Sequence, residues 1–200
     1  MNVIKQSSKL INISDRDVLK TIEKAAKICY QSEPDKDPTD FVKMLLRRKH
    51  LTPFEQVTAR VKIITDRGVS HELVRHRLAS FNQESTRYVN YGNKKFQFIL
   101  PVEFYDADKD DDIYILWKDS ISQSKHAYKQ MISKKCAPQL ARAVLPNSLK
   151  TEIIVTANLR EWMHIFKLRC SDAAHPQIRE LMIELREQFR KRIPVIFDDL

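Results

Sequence analysis

Glycine is scarce in this sequence, since only Gly68 and Gly92 occur among its 200 residues. The glycine-rich loops that bind nucleotide phosphates, G-x-G-x-x-G and G-x-x-x-x-G-K-S/T, both need glycines at close spacing. The sequence excludes both loops, because its glycines are far apart. If the protein binds a nucleotide, side chains must hold the phosphates, and clusters of arginine, serine and histidine are the places to look.

Long apolar runs and paired cysteines are also missing. The sequence has no run of about 18 apolar residues, so we predict no membrane-spanning helix. Residues 1–14 lack the apolar stretch and small residues of a signal peptide. Cys29, Cys136 and Cys170 are far apart and form no C-x-x-C pair. We interpret them as free structural thiols in a reducing compartment, and we predict a cytoplasmic protein with no membrane partner.

The histidines show no spacing that is typical of a metal site. His50, His71, His126 and His175 form no H-x-x-H pair and no cysteine–histidine pattern. We therefore predict that the protein has no metal site.

The composition is that of a folded, basic protein. Hydrophobic residues make up 42% of the chain, which is enough for a sizeable core, and the length suits a single domain over residues 1–200. Lysine and arginine outnumber aspartate and glutamate by 35 to 26, which gives a net charge of +9. A basic surface favours an anionic partner, either a nucleic acid or a phosphorylated small molecule, although it also serves solubility alone.

Hydrophobic periodicity predicts an α+β fold with a small, mostly antiparallel sheet packed with several helices. We predict helices at residues 14–30, 41–46, 69–78 and 111–135, from the cap Asn158 to Arg169, and along the stripe from Ile178 to Phe189. We predict strands at residues 58–65, 96–100 and 151–156. Ser14 and Ser70 are the predicted N-caps of the helices at 14–30 and 69–78. Residues 79–93 are polar and rich in turn formers, so we predict an ordered loop there.

The densest polar functionality lies between Glu72 and Tyr91. Arg75, His76 and Arg77 are consecutive on a predicted helix, where successive residues are about 100° apart, so they do not form one patch. We predict that Glu72, Arg75 and His76 share a face. We predict that Arg77 is a partly buried structural arginine.

The segment after that helix is rich in hydrogen-bonding side chains, namely Ser80, Asn82, Gln83, Ser85 and Arg87. Hydroxyls and arginine in a turn-rich segment are suited to binding an anion. This pattern favours a phosphate or nucleotide site. The alternative, a solvated helix end followed by a polar loop, stays open on these residues alone.

The spacing of these residues resembles a known signature. Arg75-His76-Arg77, seven further residues, Ser85 and then Arg87-Tyr88 are similar to the signature of the flavin-dependent thymidylate synthases. The resemblance extends upstream to the segment Thr52-Pro53-Phe54-Glu55. Downstream it covers Ala141-Arg142-Ala143-Val144-Leu145-Pro146 and the helix that contains Asn158, Arg160, Met163, Phe166, Leu168 and Arg169.

The resemblance implies a homotetramer that binds FAD between its subunits. It implies that NADPH reduces the flavin and that methylenetetrahydrofolate supplies the one-carbon unit, which the flavin relays to dUMP. The reduced flavin then delivers hydride, so that the reaction is the reductive methylation of dUMP to dTMP. The resemblance also implies that no nucleophile of the enzyme attacks the uracil ring.

The resemblance implies a role for each matching residue. It implies FAD contacts for Thr58, Arg75, His76, Arg77, Gln83, Asn158, Arg160 and His164. It implies dUMP contacts for Glu72, Arg75, Gln83, Glu84, Ser85, Thr86, Arg87, Arg169 and, from another subunit, Arg142. The resemblance also implies that Arg169 is the catalytic residue, whose guanidinium would stabilise negative charge on the uracil ring. A cation at the C-terminus of a helix is also favourable by itself, so a purely structural role for Arg169 stays open.

Two other interpretations remain to be weighed. A nucleic-acid-binding module would explain the basic charge, but the basic residues are spread along the chain and form no zinc-finger or RNP-type motif, so we predict no nucleic-acid partner. A catalytically inactive relative is the other interpretation. It is supported only by Gln56, which stands where the family usually has a histidine and which cannot titrate.

Overall fold

The structure, a computed structural model, describes residues 2–92, 94–108 and 110–198, and it confirms the predicted α+β class. The strands are β1 (Asn2–Ile4), β2 (Ser7–Ile13), β3 (Thr58–Asp66), β4 (Ala79–Gln83), β5 (Gln97–Ile99) and β6 (Lys150–Asn158). The helices are α1 (Val18–Lys27), α2 (Thr39–Arg47), α3 (Arg67–Leu73), α4 (Asp112–Ser133), α5 (Pro138–Ala141), α6 (Leu159–Arg169), α7 (Pro176–Arg192) and α8 (Pro194–Phe197).

The main sheet is antiparallel and has four strands in the order β2-β3-β6-β4. Its two inner strands bury every second side chain, from Ala59 to Thr65 in β3 and from Thr151 to Ala157 in β6. This alternation is the period of a strand with one buried face, and it agrees with the sequence prediction. The short strands β1 and β5 form a separate parallel pair, with Val3 opposite Phe98.

The chain divides into two compact units. Unit 1 comprises the described residues of Met1–Ser7, Ile63–Arg75 and Asn82–Ile153. Unit 2 comprises the described residues of Ser8–Lys62, His76–Phe81 and Ile154–Leu200. The prediction of a single domain over residues 1–200 stays a prediction.

Unit 1 has an aromatic core. The Phe96 ring lies 5.4 Å from the rings of Tyr91, Phe98 and Tyr128, measured between centroids. Tyr128 comes from α4, which also buries Ile121. Burying a large apolar side chain stabilises the fold by about 1.5–3 kcal/mol, so this cluster fixes α4 and the chain before β5 in one arrangement.

Unit 2 has its own aromatic core, built from α6, α7 and α8. The Phe189 ring lies 5.1 Å from the rings of Trp162, Phe166 and Phe197. The indole Nε1 of the buried Trp162 donates a hydrogen bond to the backbone oxygen of Ala59 at 3.1 Å. The core therefore ties α6 both to the C-terminal helices and to strand β3.

Two predicted helix starts are wrong. Helix α1 begins at Val18 with Asp17 as its N-cap, whereas the Ser14 hydroxyl accepts a hydrogen bond from the Thr58 N–H at 3.0 Å. Helix α3 is capped by Asp66, whose carboxylate accepts from the Val69 N–H at 2.7 Å, and Ser70 lies inside that helix. Aspartate is as good an N-cap as serine, so local sequence alone does not choose between neighbouring candidates.

Helix α3 is shorter than predicted, and this changes the setting of Arg75, His76 and Arg77. The helix ends at Leu73, so the prediction that these three residues lie on a helix is wrong. The Arg75 N–H donates to the Glu72 oxygen three residues back at 3.2 Å, which is the tightened bond of a helix end. The predicted face shared by Glu72, Arg75 and His76 therefore does not form.

The loop predicted at residues 79–93 contains a strand instead. Residues Ala79–Gln83 form β4, which pairs with β6 at the edge of the main sheet. Its polar residues hide this from the sequence, because strand formation depends on cross-strand partners more than on local preference. The rest of the predicted loop is irregular or turn structure, apart from Asn93, which lies outside the described residues.

Two expectations about the whole chain can be compared with the described residues. None of their helices combines the length and the apolar composition that crossing a bilayer requires. Cys29, Cys136 and Cys170 are free thiols, as predicted.

Candidate functional site

Gln83, the last residue of β4, is held by two hydroxyls of unit 1. Its amide Nε2 donates to the Ser70 Oγ at 2.9 Å and to the Thr151 Oγ1 at 3.1 Å, and both partners are buried. An ionised glutamate in this position would offer only acceptors. The amide therefore uses both of its N–H groups to fix the end of β4.

Glu84 follows β4 and has both carboxylate oxygens engaged. The Tyr91 hydroxyl donates to Oε1 at 2.7 Å, and the Lys150 ammonium donates to Oε2 at 3.1 Å. Lys150 also donates to the Glu152 carboxylate at 2.7 Å, and the Glu84 N–H donates to the Glu152 backbone oxygen at 2.9 Å. This network anchors the chain at the point where it leaves the sheet.

The protonation states around Glu84 favour the same network. Burial and the contact with Glu84 raise the pKa of Tyr91 far above its ordinary value, so its hydroxyl keeps the proton that it donates. Burial lowers the pKa of Lys150, but its hydrogen bonds to Glu152 and Glu84 outweigh burial and leave that pKa above its ordinary value. Lys150 is therefore a cation, and Tyr91 is a neutral donor, at physiological pH.

The segment after Glu84 forms a tight turn over residues 85–89, which we call the β4 turn. The backbone oxygen of Ser85 accepts from the N–H groups of Tyr88 and Val89 at 3.2 and 3.0 Å, and its Oγ accepts from the Arg87 N–H at 3.3 Å. Thr86 is 8% exposed, whereas Arg87 is exposed and its guanidinium carbon lies 5.4 Å from the Tyr88 ring centre. The turn thus presents hydroxyls and one exposed cation on a short loop.

A second arginine reaches the β4 turn within the same chain. The Arg142 NH1 donates to the Thr86 Oγ1 at 3.5 Å, and the arginine is exposed. Arg142 begins a short 3-10 helix directly after α5. The structure therefore brings Arg142 to Thr86 of its own chain, and a role across a subunit boundary stays a prediction.

The two arginines of the signature that flank His76, Arg75 and Arg77, are more exposed than the sequence predicts for Arg77. Arg75 and Arg77 are both exposed, and His76 between them is buried. The prediction of a partly buried Arg77 is wrong, because the chain has left the helix and no longer turns by about 100° per residue. Glu72 lies in α3 and is half-buried.

His76 and Arg169 meet in unit 2. The Arg169 Nε donates to the Nε2 of His76 at 3.0 Å, and the other ring nitrogen, Nδ1, lies 3.6 Å from the Glu161 Oε1. Burial, together with the neighbouring Arg169 and His164, lowers the pKa of His76 from its ordinary value of 6.5 to about 4. The imidazole is therefore neutral at physiological pH.

Glu161 and His164 complete a group that we call the His76 cluster, with His76 and Arg169. Three possible metal-ligand atoms, one each from His76, Glu161 and His164, lie within 4.8 Å of one another. This spacing is close enough for all three to contact one metal ion. However, the Arg169 guanidinium already donates to His76, and its positive charge opposes a cation at this point. The pKa of Glu161 lies above its ordinary value, because burial raises it by more than the nearby His164 lowers it. The predicted lack of a metal site stays a prediction.

The remaining predicted cofactor residues lie at the starts of α6 and β3. The Asn158 Oδ1 caps α6 by accepting from the Glu161 N–H at 2.9 Å. Arg160 is exposed and bonds the Glu55 carboxylate at 2.6 Å. Thr58 and Gln56 have exposed side chains. Exposed groups remain accessible to a ligand, whereas the Asn158 side chain already serves the helix.

The structure gathers some of the predicted residues into one group in each unit, whereas, in the part of the chain that it describes, no side-chain hydrogen bond brings Thr58, Arg75, Arg77 or Arg160 into either group. In unit 1 it brings together Gln83, Glu84, Ser85, Thr86, Arg87 and Arg142. In unit 2 it brings together His76, His164 and Arg169. Sequence reasoning missed Tyr91, Lys150 and Glu161, although Glu161 and His164 are three residues apart and so share a face of a helix, which was a usable signal.

The chain is similar to known proteins over most of its length. Residues 9–195 match the family model described as thymidylate synthase complementing protein. A flavin-dependent thymidylate synthase of Clostridium tetani is 33% identical over an alignment of 204 positions that covers 89% of this chain and 80% of that protein. The enzyme of the same name from Pyrococcus furiosus is 34% identical, covering 92% of this chain and 78% of that protein. The one from Geobacter sulfurreducens is 32% identical, covering 88% and 78%.

Proposed function

Because the chain belongs to the thymidylate synthase complementing protein family, we propose that it catalyses the reductive methylation of dUMP to dTMP with the help of FAD. Methylenetetrahydrofolate is the one-carbon donor, and NADPH is the source of the reducing equivalents. The observation that carries this proposal is the family match over residues 9–195, together with the shared name of the relatives. The resemblance read from the sequence leads to the same family.

The donors in the described residues fit a flavin cofactor. FAD carries a diphosphate, and guanidinium groups bind phosphate oxygens strongly in the absence of a glycine-rich loop. Exposed cationic donors are available at Arg75, Arg77 and Arg160, and an exposed imidazole at His164. When bound and reduced, FAD supplies the hydride. The other proposed cofactor residues are Thr58, His76, Gln83 and Asn158.

The β4 turn is suited to the phosphate of dUMP. Ser85 and Thr86 contribute hydroxyls, and Arg87 and Arg142 contribute guanidinium groups. Charge-assisted hydrogen bonds to a phosphate dianion are roughly twice as strong as neutral ones. We assign these four residues to the phosphate. The remaining proposed dUMP residues are Glu72, Arg75, Gln83, Glu84 and Arg169.

Arg169 is the proposed catalytic residue. Its guanidinium is permanently charged and would stabilise negative charge that develops on the uracil ring during one-carbon transfer. The adjacent Cys170 is a poor candidate for a nucleophile, because burial raises the pKa of its thiol. A permanently charged Arg169 and a protonated Cys170 thiol support a reaction in which no nucleophile of the enzyme attacks the uracil ring.

We propose a homotetramer in the cytoplasm, with sites shared between subunits. Exposed apolar side chains support association, since Ile113 and Leu116 of α4 are 67% and 69% exposed. Free thiols at all three cysteines agree with a reducing compartment. We propose no nucleic-acid partner.

Turnover by purified protein tests the proposed function. With FAD, methylenetetrahydrofolate and NADPH, we expect dTMP to form only when dUMP is added, as measured by chromatography of the nucleotides. Arg169→Ala should keep the yellow flavin spectrum and lose about 100-fold or more in kcat, because one charge-stabilising donor is worth that much. Colourless protein that forms no dTMP and binds oligonucleotides with a steep salt dependence would instead support the nucleic-acid alternative.

A further inference from the structure

We propose that His76 is a positioning residue, a neutral imidazole protonated on Nδ1 whose Nε2 holds the guanidinium of Arg169 in place. The inference rests on the proposed function in one respect, namely that Arg169 acts on the pyrimidine. It assigns His76 a task toward another side chain, which is separate from any contact with the cofactor.

The direction of the hydrogen bond fixes the tautomer. A guanidinium is always protonated in proteins, so the Arg169 Nε can only donate. The Nε2 of His76, 3.0 Å away, must therefore accept, and an accepting ring nitrogen carries no proton. The proton of the neutral ring then lies on Nδ1. That nitrogen faces the Glu161 carboxylate at 3.6 Å, where the field of the carboxylate favours an N–H pointing toward it.

The surroundings of His76 keep the ring neutral, as the proposed contact requires. His76 is 5% exposed, and Arg169 and His164 both face it. A protonated ring would have donors on both nitrogens and would repel the guanidinium. Burial and these neighbours lower the pKa of His76 to about 4, so the acceptor persists at physiological pH.

The contact restrains a side chain that is otherwise difficult to order. Arg169 is the last residue of α6, and a long arginine side chain loses much rotamer freedom when it is held in one place. A hydrogen bond from Nε to a buried ring restrains the plane of the guanidinium. A misplacement of about 1 Å at a reacting centre can lower a rate about 100-fold. We therefore expect that loss of the His76 contact, which holds Arg169 in place, lowers kcat.

Nitrogen NMR of the full-length protein without flavin tests the contact directly. With labelled histidine and arginine, the wild-type His76 should show a protonated Nδ1 and an unprotonated Nε2, and the Arg169 Nε–H should exchange slowly with solvent. His76→Met removes the acceptor, and the Arg169 Nε–H should then exchange rapidly. His76→Gln restores an acceptor near the position of Nε2 and should restore slow exchange. The wild-type tautomer needs no variant, so it decides the matter even if His76→Met does not fold.

Steady-state kinetics of the flavin-loaded enzyme test the consequence. His76→Met should lower kcat about 100-fold with a smaller change in KM for dUMP, and His76→Gln should recover most of kcat. His126→Gln is the matched control, since His126 is an exposed residue of α4. A proton on Nε2 of wild-type His76, or unchanged Arg169 exchange and kcat in His76→Met, would overturn the inference. Wild-type protein that forms no dTMP but shows the expected NMR signals would refute the proposed function and leave the contact established.

Discussion

At the scale of the residue, burial of His76 makes stability depend on pH. The pKa of His76 is about 4 in the folded protein and near 6.5 when unfolded, so between these values the unfolded chain binds more protons. Stability should therefore fall as pH decreases through this window, and His76 should contribute no pH dependence above it. Arg169, His164 and Glu161 are the charged or titratable groups that face the ring.

Urea unfolding measures this effect when wild type is compared with His76→Gln. The stability of the wild type relative to the variant should be constant above about pH 7 and should decrease toward about pH 5. Glu161 contributes to the pH dependence of stability in the opposite direction to His76, because burial raises its pKa. Glu161 is present in both proteins, so the comparison removes its contribution. Parallel curves for the two proteins over the whole range would contradict the assignment of a buried neutral ring.

The same residue shows what sequence reasoning could and could not supply. The spacing of Arg75, His76 and Arg77 before Ser85 identified the family, which the comparisons confirm. Arg77, predicted to be partly buried, is exposed, and His76 is the buried residue of the three. The sequence predicts a helix that continues past Leu73, where the structure ends it. No local signal marks this end, because the contacts that hold His76 come from residues about ninety positions further along the chain.

At the scale of the element, the anchor at the end of β4 is the feature that matters for the β4 turn. Lys150 is only 14% exposed and bridges Glu84 and Glu152. Lys150→Met removes the cation and leaves the Glu84 carboxylate with one strong donor fewer. Leaving a partly buried charged acceptor short of a partner destabilises a protein by about 1–3 kcal/mol. We expect this loss of stability and about a tenfold rise in the dissociation constant for dUMP, because the turn follows Glu84 directly.

Calorimetry of dUMP binding and urea unfolding measure the two effects. Lys20→Met is the matched control, since Lys20 pairs with Asp17 at 3.5 Å but is 49% exposed. Such surface pairs contribute about 0–1 kcal/mol, so this variant should unfold and bind dUMP much as the wild type does. If both variants behaved alike, the network at Glu84 would be no more than a surface ion pair.

Elements with strong local signals were predictable, and those that depend on partners were not. Asn158 and Asp111 cap α6 and α4 at the expected starts, because a capping side chain followed by an apolar stripe is a local signal. Strand β4 was missed, since its strand state comes from pairing with β6. The network of Glu84 was missed for the same reason, as Lys150 is 66 positions away.

At the scale of the whole molecule, charge and glycine content agree with the proposed substrate. A net charge of +9 favours anionic ligands, and dUMP, FAD, NADPH and the folate are all anions. The scarcity of glycine leaves the proposed phosphate binding to side chains, and the β4 turn gathers two hydroxyls and Arg87 on a short loop, with Arg142 in contact with Thr86. The net charge and the glycine content can be read from the sequence, whereas the contact between Arg142 and the β4 turn could be seen only in the fold.

The exposed apolar face of α4 should decide the assembly state. Ile113 and Leu116 are three residues apart on α4 and highly exposed, which is unfavourable in water unless another surface covers them. Leu116→Glu places a charge on this face, and light scattering after gel filtration should show loss of the proposed tetramer. Ser122→Glu adds the same charge on another face of α4 and should leave the assembly intact. If the proposed sites are shared between subunits, only Leu116→Glu should also lose bound FAD. A tetramer that survives Leu116→Glu would show that α4 lies outside the subunit interface.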